Sequence, residues 1–207
     1  YTPSRWRILG LAVPQLREEA RRLRDEMKPL PLAEAVGSIC ALAASDIHEI
    51  RHLAYELLSM LPKVRRAMSA ADLLKIAEGN DNWASVDTWA CFVGGPAWRE
   101  GQFTDEQIHQ LAASQNPWER RAALVCSVPL NMKSRGGKGD VPRTVRICAA
   151  LATDKHPMVA KALSWALREL LEQDTAAAVE FLAMHEVPAL VRREVGNKLR
   201  TGKKSGK

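Results

Sequence analysis

The sequence predicts an all-α fold, a single-domain α-solenoid of HEAT-like helical repeats. Three observations carry this expectation. Ala, Leu, Arg and Glu, all good helix formers, are plentiful, whereas β-branched runs are scarce. No stretch alternates apolar and polar residues over the length of a strand. Helix-start signals recur about every 15–20 residues along the 207-residue chain, with brief connectors between them.

The elements follow in order. Pro14 is expected to open a helix running to about Met27, and Pro31 another to about Ala44. Asp46-x-x-Glu49 is akin to a capping box and starts a helix to about Met60. Ser69 caps a segment to about Glu78, and Trp83 to Val93 reads as a helix ended by Gly94-Gly95-Pro96. Thr104 to Gln107 is a capping box, and Asn116-Pro117 is an N-cap followed by proline at the first helical position. Pro142 and Pro157 open two more helices, Asp174 caps another, and the last runs from about Val187 to about Leu199. The period is loose and no two units are alike, which suits HEAT-like pairs better than tetratricopeptide or ankyrin units. Lys133–Asp140 (KSRGGKGD) reads as a polar, Gly-rich loop. The repeat domain is expected over residues 1–200, with residues 201–207 a disordered basic tail.

Composition narrows the function. No apolar run is long enough to span a bilayer, and no stretch reads as a secretory signal. The sequence starts at Tyr1 without Met, so native residues are expected to precede it. Cys40, Cys91, Cys126 and Cys148 form no CxxC pair and sit in Ala/Leu/Val-rich segments, as buried free thiols of a reducing, cytoplasmic compartment would. The net charge is +6, and the excess is clustered. Residues 1–28 hold seven cations against four acids, residues 118–146 hold seven against Glu119 and Asp140, and Arg192–Lys207 holds seven against Glu194. Clustered positive charge suits a polyanion such as DNA, and equally an ordinary solvated surface.

Two helices carry residues that a plain core does not explain. On the helix from Pro157, steps of about 100° put Val159, Leu163, Ala166 and Leu170 on one stripe, flanked by Ala160 and Leu167. Met158, Lys161, Trp165, Arg168 and Glu172 form the opposite stripe. Trp165 therefore stands among cations, an aromatic platform beside a basic groove or a Trp packed under a neighbouring helix. On the helix from Trp83, Val86, Trp89, Phe92 and Val93 share a broad face, and Trp83 and Asp87, at i and i+4, share another with Ala90. Asp87 is either a functional carboxylate or an exposed acid near a helix start. Arg120 and Arg121 in NPWERRAAL point about 100° apart, and periodicity does not choose between them as ligand contacts.

His48–His52 (HEIRH) matches the helical zinc motif H-E-x-x-H. No third ligand is suitably placed, since Glu56 lies one turn on along the same helix. No metal is therefore expected. No Walker loop, GxGxxG or Ser/His/Asp arrangement is present.

From about Gly10 to Leu199 the chain resembles the DNA alkylation repair enzymes of the AlkD-like, HEAT-repeat DNA glycosylase family. The segments that carry the resemblance are GLAVPQLREEAR, NWASVDTWA, SQNPWERRAALV and HPMVAKALSWALREL, the last being the most specific. The resemblance implies that Asp87 is the catalytic carboxylate and that Trp83 and Trp165 cradle the backbone of the damaged nucleotide. It implies that Arg121 contacts phosphate. Arg120, Lys161 and Arg168 are expected to be further DNA-binding cations. Members often read W-W-D-x-V-D, whereas here Asn82 precedes and Ala84 follows Trp83. The implied reaction is hydrolytic excision of cationic N3- or N7-alkylated purines from double-stranded DNA by a monomer, without metal or cofactor. The expected arrangement is a right-handed solenoid whose concave face holds the basic clusters and Trp83, Asp87, Arg121 and Trp165. The rival readings are a non-catalytic binder of distorted or branched DNA and a HEAT-like protein–protein adaptor.

Overall fold

Side-chain caps determine where most of the helices begin. The computed structural model describes residues 3–205. Its contacts group these into two compact units that meet between Phe103 and Thr104. Each unit is an all-α stack of successive helices, the local arrangement of an α-solenoid.

Unit one holds α1 (Val13–Met27), α2 (Leu32–Ala43), α3 (His48–Met60), α4 (Pro62–Ala67), α5 (Ala70–Lys75), α6 (Trp83–Trp89) and α7 (Gly95–Arg99). Helix α3 is central: α1, α2, α4 and α6 all pack on it. It buries Leu53, Ala54, Tyr55, Leu57 and Leu58. Its Arg51 also turns inward and donates to the carbonyls of Ala43, Ile76 (3.1 Å) and Glu78 (2.7 Å). These carbonyls lie at and just beyond helix C-termini, where the ladder leaves acceptors unmatched.

Three local expectations need correction here. Asp46-x-x-Glu49 does not cap α3, because Ile47 occupies the N-cap without a side-chain bond. Glu49 is instead taken by a long-range partner. Its carboxylate accepts the amides of Leu9 (3.0 Å) and Gly10 (2.8 Å). Gly94-Gly95-Pro96 does not end the helix from Trp83. The chain passes through a π-helical turn, Ala90–Gly94, and continues as α7, because both glycines take right-handed helical angles and Pro96 sits in the first turn of α7, where its missing N–H is harmless. That turn buries Ala90 completely, so Ala90 does not share an open face with Trp83 and Asp87. Helix α4, six residues opened by Pro62, was too short to register as a periodic segment.

An extended N-terminal strap completes unit one. Ser4 Oγ and the Arg5 amide donate to Asp81 at 2.7 and 2.6 Å. Arg7 pairs with Ile47 in an isolated parallel bridge. The guanidinium groups of Arg5 and Arg51 stand over the Trp6 ring, 4.4 and 4.5 Å from its centroid.

Unit two holds α8 (Asp105–Ala112), α9 (Pro117–Asn131), α10 (Val141–Ala150), α11 (Pro157–Leu171), α12 (Thr175–Met184) and α13 (Ala189–Thr201). Thr104, Asn116, Asp140 and Asp174 each cap a helix start through their side chains, worth about 1 kcal/mol apiece. Helix α11 is central and packs on α9, α10, α12 and α13. Val159, Leu163, Ala166, Leu167 and Leu170 are fully buried on it. Helix α13 ends at Gly202, whose φ of 72° is left-handed. Beyond it, Lys204 pairs with Glu194 at 3.2 Å. Of the expected basic tail, Gly206 and Lys207 lie outside the described residues.

Among the described residues all four cysteines are free thiols, and Cys91, Cys126 and Cys148 are buried. No described helix is long and apolar enough to cross a membrane.

Candidate functional site

Helix α6 begins with a hydrogen-bonded cap that fixes Trp83 as its first helical residue. Asn82, almost fully buried, accepts the Ser85 amide at 3.0 Å and donates to Asp81 and to Ser85 Oγ. Ser85 Oγ in turn lies 3.2 Å from His48 Nδ1 on α3. Behind Asp81 stands the strap, through Ser4 and Arg5. Asn82 thus serves as a buried helix cap.

On that start, Val86 and Trp89 face the core while Trp83 remains 36% exposed. Asp87 is partly buried one turn further along. It is the fifth of seven residues in α6 and lies outside the first turn, which holds no acid. Favourable interaction with the macrodipole fades beyond the first turn, so the dipole does not account for an acid here.

Burial and the neighbouring His52 push His48 below its ordinary value, which keeps the ring neutral near pH 7. Burial alone would raise Asp81, but bonds from the Arg5 amide, Ser4 and Asn82 offset this and hold it lowered.

The second group lies in unit two. Trp165 on α11 is partly buried, and its indole N–H donates to Glu169 one turn on at 3.0 Å. Lys161 is exposed. Arg168 is partly buried, with its Nε 3.4 Å from Ser164 Oγ. Ser164 Oγ donates to the buried Glu194 at 2.6 Å. Burial lowers Arg168, and Glu194 and Glu169 oppose that effect. A guanidinium remains charged throughout.

The two adjacent arginines of α9 part company. Arg120 bonds Asp154 at 2.6 Å and the carbonyls of Ser114 and Gln115 at 3.0 Å, tying the turn before α9 to the one before α11. Arg121 is 5% exposed, and its Nη1 donates to the Met158 carbonyl in the first turn of α11.

Trp83 and Asp87 therefore share one helix of unit one, and Arg120, Arg121, Lys161, Trp165 and Arg168 lie on two packed helices of unit two. Periodicity missed the supporting residues Asp81, Asn82, Ser85, Ser164 and Glu194. Asn82 alone carried a readable signal, an Asn immediately before a helix.

The H-E-x-x-H residues turn to three different partners: His48 to Ser85, Glu49 to the strap amides, and His52 to Glu56 at 3.5 Å. No group of three or more His, Cys, Asp or Glu among the described residues is arranged to hold a metal ion.

Residues 1–199 match the family profile described as DNA alkylation repair enzyme, and the chain belongs to that family. Its profile runs through both units. A solved structure described as a predicted DNA alkylation repair enzyme from Enterococcus faecalis shares the fold, with a TM-score of 0.76 and 18% identity, covering 95% of this chain and 90% of the other. No curated protein matches the sequence.

Proposed function

We propose that the protein is a DNA glycosylase that excises cationic N3- or N7-alkylated purines from double-stranded DNA, acting as a cytoplasmic monomer without metal or cofactor. The observation that carries this reading is the position of Asp87. It is a carboxylate one turn beyond an exposed indole, on a helix whose other large side chains belong to the core.

An N3- or N7-alkylated purine already bears positive charge and is a good leaving group. Breaking its glycosidic bond returns the bonding pair to the base and leaves positive charge on the sugar, as in glycoside hydrolysis. Asp87 stabilises that charge and orients the water that adds to the anomeric carbon. The face of Trp83, one turn from Asp87, adds cation–π stabilisation of about 0.5–2 kcal/mol, and Trp165 offers an aromatic platform to the DNA backbone. Lys161 and Arg168 hold backbone phosphates, and Arg120 and Arg121 support them through bonds to Asp154 and to the Met158 carbonyl. The test is release of 7-methylguanine or 3-methyladenine from methylated duplex DNA. Free base in stoichiometric excess over protein is expected.

A second reading rests on Asn82, which forms a buried cap where the resemblance to the family implies an aromatic. On that reading the protein binds distorted or branched DNA without cleaving it. The same assay would then detect no released base, with tight binding retained.

A further inference from the structure

We infer that the Lys133–Asp140 loop is a preformed clamp for DNA backbone phosphates, a second contact away from the lesion; this rests on the protein's acting on duplex DNA as proposed above. Read as sequence, the segment is a polar, Gly-rich loop. The structure gives it a fixed shape.

Each of three glycines has a geometric task. Gly136 and Gly139 have φ of 77° and 91°, in the left-handed region. Gly137 is buried against the last turn of α9, where an added Cβ would stand 2.6 Å from the Pro129 carbonyl oxygen and 2.7 Å from that of Leu130. Hydrogen bonds close the loop onto the same turn. The amides of Arg135 and Gly137 reach the Met132 carbonyl at 2.9 and 3.0 Å, that of Gly139 reaches Leu130 at 3.1 Å, and that of Asp140 reaches the Asn131 side chain at 3.1 Å. Asn131 is itself buried and held by Thr144 at 2.8 Å and Ser127 at 3.1 Å.

On this frame Lys133, Arg135 and Lys138 are exposed. The acid of the loop, Asp140, caps α10 and faces Arg143. Neither Lys133 nor Lys138 has an ion-pair partner among the described residues. In the N-terminal cluster four of the seven cations are matched by acids: Arg22 by Glu19 and Glu26, Arg24 and Lys28 by Asp25, and Arg17 by Glu56. Lys133 and Lys138 thus stand exposed on a backbone whose shape is set by its own hydrogen bonds.

The chemistry selects the ligand. The loop has no apolar or aromatic side chain with which to read a base or anchor in a protein pocket. Cations on an ordered backbone recognise a repeating anion, and the ordering reduces the entropy lost on binding. Helices α9 and α11 run side by side, Arg121 meeting Met158 near their starts and Gln173 meeting Asn131 just past their ends. From Trp165 to the end of α11 is about 10 Å along the axis, a span of about three phosphates of one strand.

The test is binding of an unmodified duplex, longer than two helical turns, across a range of salt. The proteins are the wild type, the double variant Lys133→Ala/Lys138→Ala, and Gly137→Ala. For the double variant the log–log salt slope should become shallower by about 2, with affinity lower by at least about tenfold at low salt. Gly137→Ala, once its cooperative unfolding is confirmed, should bind more weakly although every charge remains. An unchanged slope in the double variant overturns the clamp, and wild-type affinity in Gly137→Ala overturns its preformed shape. Base release by the wild type is scored separately. A wild type that binds but releases no base sinks the glycosylase reading and leaves the clamp standing.

Discussion

Ser85 Oγ lies 3.2 Å from His48 Nδ1, directly behind the helix start that presents Trp83. Asn82 bonds the same hydroxyl at 3.2 Å. The candidate indole is therefore supported by side chains from two helices rather than by its own packing alone.

Asp87→Asn should lower base release by about 10²–10³-fold, the usual cost of removing one preorganised electrostatic group. Binding of the duplex should hold or tighten slightly, because a negative charge near phosphates is gone. Single-turnover excision and equilibrium binding measure the two effects. Excision at the wild-type rate would remove Asp87 from the chemistry.

Trp165→Ala should weaken binding and slow excision together, since a platform present in both ground and transition states is lost. The indole N–H also leaves Glu169, a bond of 3.0 Å. Trp165→Phe should recover most of the affinity by keeping an aromatic face. Recovery no better than with Ala would show that the face itself is not used.

Asn82→Ala should destabilise the protein by about 1–2 kcal/mol, the cost of an N-cap together with the buried partners it leaves unmatched. Asn82→Ser should cost less, since a hydroxyl can still accept the Ser85 amide. Denaturant midpoints compare the two. A fall in excision beyond the loss of folded protein would tie the cap to the placement of Trp83.

Stability should fall as pH drops through two windows. His48 has a lowered pKa when folded, so below about 6.5 the unfolded chain takes up a proton that the folded chain resists, and stability is lost. Glu49, Glu56 and Asp81 are also held low against burial, so their contribution, complete above their ordinary values, is lost at more acidic pH. His48→Asn should remove the upper window and leave the acidic one. Urea unfolding at a series of pH values checks this. Equal slopes near pH 6 in both proteins would discharge His48 from the effect.

The helix starts were legible because capping is local. Thr104, Asn116 and Asp174 announce their helices within three residues, and each cap forms. The outward stripe of α11 was legible from its spacing alone. What failed was decided by distant partners or by permissive residues. Glu49 looked like a cap, but its acceptors were claimed by amides about 40 residues earlier in the chain. Gly94 and Gly95 looked like a stop, yet glycine also tolerates a helical path when packing demands one. At the candidate site, Asp87 and Arg121 were singled out by resemblance to a family. Periodicity could not separate Arg121 from Arg120, because the difference lies in Asp154 and Met158, thirty-odd residues away.

The strap has a consequence for how unit one opens. Ser4 and Arg5 reach Asp81 across more than 75 residues of sequence, and Asp81 also bonds Asn82. Release of residues 3–10 and fraying of α6 are thereby joined into one cooperative event rather than two local ones. In hydrogen exchange, the amides of Arg7 and Val86, bonded to Asp46 and Asn82, should share a single opening free energy. Removal of the strap should lower protection at both ends of that pair, including the turn on which Trp83 stands.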